Sequence, residues 1–241
     1  MESGFFKTGE QRAELVEDLF ATIAHRYDLI NDLQSGGLHR LWKRRLVTLA
    51  LQRRPEMALD VCCGTGDVAL RLAAEGVQVV GCDFSGPMLS VAARRSREGR
   101  DDDRLTWVRA DALNLPVASA SVDVVTISYG LRNLASFEGG LAELWRVLKP
   151  GGRLLVLDFG KPPARLWRAL YYAYLRAIVP IFGRLFFGNS ATHAYIYDSL
   201  VAYPAQTGVD RWLREHGAVS PRTELLLGGM MTINVAEKPR A

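Results

Sequence analysis

The chain has 241 residues, of which 49% are hydrophobic, and its 30 Lys and Arg against 26 Asp and Glu give a formal net charge of +4. This length suits one domain, or one domain with an appendage, and the composition excludes a disordered, collagen-like or disulfide-scaffold chain. Its three cysteines, two of them adjacent, have neither a disulfide framework nor zinc-ligand spacing. They favour a reducing compartment such as the cytoplasm.

No segment has the pattern of a signal peptide or a membrane-spanning helix. Residues 1–12 lack an apolar run behind their charges. The most hydrophobic stretch, residues 166–187, is interrupted by Arg168, Arg176, Pro180 and Arg184 and falls short of about 18 consecutive apolar residues. We therefore expect a soluble, cytoplasmic protein that at most lies on a membrane surface.

The predicted elements begin with helices and then alternate. Apolar residues recur at helical spacing over residues 10–53, and residues 38–54 form a basic amphipathic segment. Beyond them, short apolar runs alternate with helical segments, which is typical of a doubly wound parallel sheet. The predicted strands are residues 58–62, 77–82, 105–109, 121–128 and 153–159. The predicted helices between them are residues 68–75, 87–97 and 137–148, and residues 149–152 are predicted to be a turn.

The alternation stops after Pro162-Pro163. Residues 163–206 are aromatic and helical, and residues 218–226 and 231–236, joined by Gly228-Gly229, are predicted to form a terminal hairpin. We therefore expect an N-terminal helical cap over residues 1–53 and an α/β core over residues 54–241. A helical lid over residues 163–206 is inserted in that core.

The clearest motif is Gly64-Thr65-Gly66, which follows the first predicted strand and precedes a helix. Glycines at such a turn let a ligand approach the backbone, and the helix N-terminus offers free N–H groups. With Ala69 the motif also satisfies the loose dinucleotide fingerprint GxGxxG/A. A plain tight turn stays open as an alternative.

Three acidic residues accompany the glycine motif. Asp60 precedes it and suits a ligand amine, Asp83 ends the second strand and can bond both ribose hydroxyls, and Asp111 can accept from an adenine amino group. Three acids would repel a pyrophosphate and attract a cation. S-adenosylmethionine (SAM) has a sulfonium, an amine, a ribose and an adenine but no phosphate, so it is the predicted ligand. Each aspartate could instead be a helix cap or turn residue.

These motifs resemble class I SAM-dependent methyltransferases, which have a Rossmann-like, seven-stranded sheet. The residues concerned are 59–66, 83–89, 111–116 and 146–152. Residues 25–32, 37–43 and 128–133 resemble, more narrowly, the ubiquinone/menaquinone biosynthesis C-methyltransferase family, and the similarity covers nearly the whole chain. The Cys62-Cys63 pair resembles the demethylmenaquinone methyltransferases within it. The chain departs from the family at Tyr129, where Phe is usual, and at Asn234, where His is usual.

The resemblance implies a sheet whose last strand is antiparallel, and a quinol pocket and lid made by residues 10–53 and 163–206. It implies the transfer of the SAM methyl group to a ring carbon of demethylmenaquinol, a prenylated naphthoquinol. Action on both ubiquinone and menaquinone precursors, or on another small molecule or lipid, stays open, and so does a homodimer. The cofactor-binding residues implied by the resemblance and the glycine motif are Asp60, Gly64, Thr65, Gly66, Asp83, Asp111, Ala112 and Ser128.

The catalytic candidates follow from the chemistry of a quinol ring. Its carbon is nucleophilic when a neighbouring hydroxyl loses its proton, and it must be aligned with the methyl group. We expect Arg132, which stays protonated, to stabilise the quinolate, Asn133 to orient the hydroxyl, and Tyr27 to donate a hydrogen bond from the cap. Arg132 could instead form a surface salt bridge, and Tyr27 could be core packing. His39 could be a base but is expected to be structural or exposed to solvent.

Residues 159–197 contain no Asp or Glu. They carry five basic residues among many aromatic ones, namely Lys161, Arg165, Arg168, Arg176 and Arg184. This composition predicts a lid that meets a prenyl tail at an anionic membrane surface, with a helical packing layer as the alternative. Two other functions are disfavoured. The chain lacks the Tyr-x-x-x-Lys pair of a dehydrogenase. Its fourth strand ends in Ser128-Tyr129-Gly130 and not in the Asn/Asp-Pro-Pro-aromatic turn that nucleic-acid amino-group methylation uses. We expect no nucleic-acid partner and no metal.

Overall fold

The computed structural model describes residues 27–99, 103–187 and 199–240, and of Tyr27, Asp28, Ile30 and residues 178–187 only the backbone. In these ranges seven strands form one sheet in the order β3-β2-β1-β4-β5-β7-β6. The strands are β1 (Met57–Val61), β2 (Gln78–Asp83), β3 (Leu105–Arg109), β4 (Val122–Ser128), β5 (Leu148–Phe159), β6 (Val219–Leu226) and β7 (Met231–Glu237).

The first five strands run parallel, and β7 is antiparallel to both of its neighbours, β5 and β6. The strand order therefore confirms the predicted α/β sheet with an antiparallel last strand. The chain leaves β1 toward β3 and then crosses back to β4, so a topological switch point lies between β1 and β4. Ligands of open α/β sheets bind at the carboxyl ends of the strands beside such a point.

The helices cover both faces of the sheet. They are α1 (Tyr27–Ser35), α2 (Leu38–Leu51), α3 (Asp67–Ala74), α4 (Gly86–Glu98), α5 (Phe137–Val147), α6 (Arg165–Phe187) and α7 (Ala205–Glu215). One buried cluster joins α5, α6 and α7 to the face that carries Leu59 and Val61. A second cluster joins α2 and α3 to the face that carries Ala58, because neighbouring side chains of a strand point to opposite sides.

The predicted and observed bounds of most elements agree to within one or two residues, but β5 differs. The sequence predicts its start at residue 153, after a turn at 149–152. The strand instead begins at Leu148 and passes through this segment with a shifted register, because Gly151 adopts φ +78° and the strand bulges there. The predicted turn is therefore a bulge within the strand.

The added helical segments are described in part. Of the predicted cap, residues 27–35 and 38–51 are helical, and of the predicted lid, residues 165–187 are helical. Residues 10–26 and 188–198 lie outside the described residues. Within the described ranges no helix is long and apolar enough to cross a membrane. The division into cap, core and lid stays a prediction.

Candidate cofactor and acceptor site

A cleft opens at the carboxyl ends of β1, β2, β3 and β4, beside the switch point. Its empty volume is about 910 Å³, open solvent at its mouth included. Six of the predicted site residues line it together, although they are dispersed along the chain. They are Gly64, Asp83, Asp111, Ala112, Ser128 and Asn133.

The glycine turn has the backbone conformation that its sequence predicts. Gly64 and Gly66 have φ of +55° and +85°, in the left-handed region that favours glycine. A Cβ built on Gly66 would lie 2.6 Å from the ring of Trp107 on β3, whereas one built on Gly64 would meet no atom within 4 Å. The backbone at Gly64, which lines the cleft, is therefore open to close approach by a ligand.

Asp83 stabilises the rim of the cleft at the end of β2. Its Oδ2 accepts a hydrogen bond from Gly64 N at 2.7 Å, and its Oδ1 accepts one from Ser85 N at 2.9 Å. The carboxylate thus connects the glycine turn to the start of α4 while it lines the cleft. This is the position from which a carboxylate bonds a ribose in Rossmann-like folds.

Asp111 also lines the cleft, on the exposed segment after β3. Its Oδ1 accepts a hydrogen bond from Leu113 N at 2.9 Å, so the side chain shapes a local turn. The turn holds Ala112, which is buried, against the cleft. This hydrogen bond supports the alternative interpretation of Asp111 as a turn residue, and its contact with a cofactor stays a prediction.

Asp60, Thr65 and Gly66 do not line the cleft. The Asp60 side chain is fully buried, and its Oδ1 accepts a hydrogen bond from Thr126 Oγ1 at 2.7 Å. Burial raises the pKa of this carboxyl to about 7, against the hydrogen bond from Thr126 and the charge of Lys43. Thr65 is buried too, and its carbonyl accepts from Arg95. Direct contacts of these three residues with a cofactor stay predictions.

Arg132 lies next to the cleft in a short 3₁₀ turn after β4. Its Nη1 donates to Tyr129 O at 2.7 Å and forms an ion pair of 3.2 Å with Asp158 Oδ1, and its guanidinium lies 4.5 Å from the ring centroid of Phe159. The side chains of Arg132 and Asp158 are only 7% and 2% exposed. The alternative of a surface salt bridge is therefore wrong: the ion pair is buried.

The other catalytic candidates differ in position. Asn133 lines the cleft, and its Nδ2 donates to Tyr129 O at 3.2 Å. Tyr129 itself lines the cleft with φ +61°, an unusual value for a tyrosine. Tyr27 begins α1, and its side chain lies outside the described part of the chain, so its predicted role is untested.

His39 is buried rather than exposed to solvent. Its Nε2 lies 2.8 Å from Asp32 Oδ1, and the same carboxylate forms two hydrogen bonds with Arg40. Burial lowers the pKa of His39, with the hydrogen bond to Asp32 acting in the opposite direction. Asp32 thus ties α1 to the start of α2, which supports the structural reading of His39.

Two features of the site are not predicted by the sequence patterns. Asp158 lies at the end of an apolar run on β5. A single carboxylate in such a run is the sequence feature that could have identified it as a site residue. Cys62, expected on a strand as a buried hydrophobe, instead follows β1 with φ +53° and lines the cleft. A Cβ on Gly130 would lie 2.7 Å from its Sγ, so the turns after β1 and β4 pack directly on each other.

The chemistry of the cleft fits a cationic, phosphate-free ligand. Asp83 and Asp111 line it, and no lysine or arginine is among its lining residues in the described part of the chain. Within the same ranges no group of three His, Cys, Asp or Glu side chains could hold a metal ion. The open space at Gly64 and the two rim carboxylates are what an amine-bearing nucleoside such as SAM requires.

The sheet order, the glycine turn and the acidic cleft define a class I SAM-dependent methyltransferase. Solved structures share this fold. Magnesium protoporphyrin IX methyltransferase of Synechocystis PCC 6803, solved with bound S-adenosylhomocysteine (SAH), superposes with a TM-score of 0.67 at 18% identity, over 94% of this chain and 99% of that one. A putative SAM-dependent methyltransferase of Methanococcus maripaludis gives 0.62 at 18% identity, over 92% and 95%.

The chain belongs to the ubiE/COQ5 methyltransferase family, which matches residues 6–238. Demethylmenaquinone methyltransferase of Thermus thermophilus is 43% identical over 223 residues, 92% of this chain and 100% of that protein. Ubiquinone/menaquinone biosynthesis C-methyltransferase UbiE of Paracoccus denitrificans is 39% identical over 217 residues, 89% of this chain and 87% of that protein. The expected family, enzyme class and SAM dependence are confirmed.

Proposed function

We propose that the protein methylates a ring carbon of demethylmenaquinol, a prenylated naphthoquinol, in menaquinone biosynthesis. The names of the Thermus thermophilus relative and of a Desulfitobacterium hafniense relative, 35% identical over 237 residues, support this acceptor. The observation that carries the proposal is the buried guanidinium of Arg132 beside an acidic cleft. This guanidinium, paired with Asp158 and adjacent in sequence to the cleft-lining Asn133, would stabilise the phenolate charge that develops on the quinol.

Different residues of the chain have different roles in the proposed reaction. SAM, when bound, supplies the methyl group. Asp83 and the backbone at Gly64 would hold its ribose and amino acid ends, and Asp111 would hold its adenine. Arg132 stabilises the quinolate that remains when a ring hydroxyl loses its proton, and Asn133 orients that oxygen. The ring carbon then gains the methyl group, its hydrogen leaves as a proton, and SAH remains.

Other relatives support a second possible function, in which the enzyme accepts two classes of quinol. The UbiE proteins of Paracoccus denitrificans and Azotobacter vinelandii are 39% and 38% identical to the chain, and their names include ubiquinone. A dual enzyme would methylate a benzoquinol precursor as well as the naphthoquinol. The adjacent cysteines Cys62 and Cys63 favour the first proposal, since they resemble the menaquinone members.

We propose further that the protein is cytoplasmic and contacts the membrane transiently. A prenyl tail gains roughly 0.8 kcal/mol for each buried CH₂, so it stays in the bilayer and the enzyme must approach it. Helices α1 and α6 meet where Tyr174 Oη donates to Gln34 O at 3.3 Å. Four leucines on these helices are exposed, namely Leu29, Leu33, Leu166 and Leu170. They would meet the acyl region while nearby arginines meet anionic headgroups.

The test of the proposed function is a reconstituted assay. The purified protein receives labelled SAM with chemically reduced demethylmenaquinol or with the benzoquinol precursor of ubiquinone, and mass spectrometry identifies the products. Methylation of the naphthoquinol alone supports the first proposal, and methylation of both supports the dual enzyme. If neither quinol reacts while SAM binds, the quinol assignment is wrong and the methyltransferase fold stands.

A further inference from the structure

Lys43 lies on α2, outside the sheet, yet its side chain is only 7% exposed. Its Nζ donates to Asp67 Oδ2 at 2.8 Å. Asp67 is the first residue of α3 and directly follows Gly66. Because a buried ammonium is unfavourable unless it is paired, this contact makes the cap helix and the glycine turn depend on each other.

The glycine turn is held from a second side by α4. Arg95 Nη2 donates to Asp67 Oδ1 at 2.6 Å, and Arg95 Nη1 donates to Thr65 O at 3.0 Å. Burial would raise the pKa of Asp67, but Lys43 and Arg95 together hold it well below its usual range. Asp67 is thus an ionised anchor between two cations, and Lys43 is the more buried of the two.

Lys43 also lies near the aromatic side chains that pack toward Arg132. Its Nζ lies 6.0 Å from the ring centroid of Tyr129, whose ring packs edge-on to Phe159 at 6.0 Å. The ring of Phe159 in turn faces the guanidinium of Arg132. A continuous set of contacts therefore runs from the glycine turn through Lys43 to Arg132, although Lys43 is not among the residues that line the cleft.

We propose that Lys43 is a positioning residue that holds the glycine turn in its SAM-binding conformation without touching SAM. Removal of its charge would leave Asp67 tied to α4 alone and the turn free to shift away from the cap. The contact with Tyr129 extends the same effect to Arg132, and that extension rests on the proposed function. The expected effect on the affinity for the methyl donor does not depend on the proposed function.

The test compares two substitutions on α2. Lys43→Met removes the buried charge and keeps an unbranched side chain of similar length. Arg45→Met is the matched control on the same helix: Arg45 pairs with Glu224 of β6 at 2.9 Å, but it is 45% exposed and is not among the residues that line the cleft. We expect Lys43→Met to raise the dissociation constant of SAH about tenfold and Arg45→Met to leave it within about twofold, measured by calorimetry without a quinol.

A double-mutant cycle locates the effect. Asp67→Asn should weaken SAH binding at least as much as Lys43→Met, because it also removes the charged partner of Arg95, and the double variant should bind no worse than Asp67→Asn, since the Lys43 contact is already lost in that variant. Full additivity would overturn the proposal. A Lys43→Met protein that unfolds at lower urea but binds SAH as tightly as wild type would show a structural role and would overturn it too. Should Lys43→Met not fold, Lys43→Gln, which also removes the charge, makes the same comparison with Arg45→Met.

Discussion

Arg132 and Asp158 form a buried ion pair at the carboxyl edge of the sheet, and Asp158 also accepts a hydrogen bond from the backbone N of Arg132 at 3.2 Å. The guanidinium is therefore held at its side chain and its backbone by one carboxylate. Burial raises the pKa of Asp158, opposed mainly by the charge of Arg132. Such pairs add little net stability, but loss of one partner leaves the other as an uncompensated buried charge.

Substitution of either partner should separate turnover from donor binding. Arg132→Ala should retain SAH affinity and lose turnover, because it removes the cation that stabilises the quinolate. Asp158→Asn should lower kcat at least about tenfold and lower the free energy of unfolding by about 3 kcal/mol, because Arg132 stays charged but loses its partner. Steady-state kinetics, calorimetry and urea unfolding measure the three quantities.

The control for this pair is Asp210→Asn. Asp210 pairs with Arg214 at 2.9 Å on the surface of α7, one helical turn away, so its loss should change stability by less than about 1 kcal/mol and leave turnover intact. Equal turnover of wild type and Arg132→Ala would remove Arg132 from the mechanism.

Asp83→Ala should weaken SAM binding at least about tenfold, because Asp83 lines the cleft and also fixes Gly64 N. Asp83→Asn should bind more tightly than Asp83→Ala, since an amide oxygen still accepts one of the two backbone hydrogen bonds. Calorimetry with SAH measures both. Unchanged affinity in Asp83→Ala would show that this carboxylate does not hold the ribose.

Gly66→Ala should destabilise the fold more than Gly64→Ala. Both residues have positive φ, which disfavours alanine by roughly 1–3 kcal/mol, but only the Cβ at Gly66 would overlap the Trp107 ring. Gly64→Ala should instead reduce SAH affinity, because its methyl group enters open space at the cleft. Urea unfolding and calorimetry make the comparison. Equal destabilisation by both changes would contradict this account of the turn.

Asp60 should make stability fall with rising pH. Its folded pKa of about 7 lies above the unfolded value of 3.8, so between these values the native state binds more protons than the unfolded state. The free energy of unfolding therefore decreases as pH rises toward 7 and levels off above it. Relative to wild type, Asp60→Asn should gain stability between about pH 4.5 and 8, on the order of 3 kcal/mol.

Asp123→Asn serves as the control for that titration. Burial would raise the pKa of Asp123, but the hydrogen bond from Lys149 and those from the backbone of Met57 and Glu56 lower it overall, so its titration ends below this pH window. Its effect on stability should be the same at about pH 5.5 and pH 8. If wild type and Asp60→Asn show parallel pH dependence in urea unfolding, the buried carboxyl of Asp60 does not titrate as inferred.

The exposed leucines of α1 and α6 predict binding to anionic vesicles. Wild-type protein should float with phosphatidylglycerol vesicles, and Leu166→Glu/Leu170→Glu should reduce the bound fraction at least about tenfold, since each buried leucine contributes roughly 1.5–3 kcal/mol. Val219→Glu is the control, because Val219 is 46% exposed on β6, an edge strand of the sheet. Wild-type protein that stays at the bottom of the gradient would refute the membrane contact.

Much of the core and part of the site could be predicted from local patterns. Strands β1 to β4 are short apolar runs, and parallel strands place the residues that follow them on one edge. That rule brought Gly64, Asp83, Asp111 and Ser128 together correctly. Asp60 shows its limit: the rule could not reveal that the register of β1 against β4 places its carboxyl against Thr126, and its contact with a ligand stays a prediction.

Residue type and short spacing were enough for the order of the elements, the glycine turn and the family. Only the folded chain shows that Arg132 meets Asp158 across 26 residues and that Lys43 meets Asp67 across 24. Side-chain periodicity reveals which face of a helix or strand is buried. It does not reveal which partner lies there, because that depends on strand order and helix docking, which are set by the packing of the whole chain.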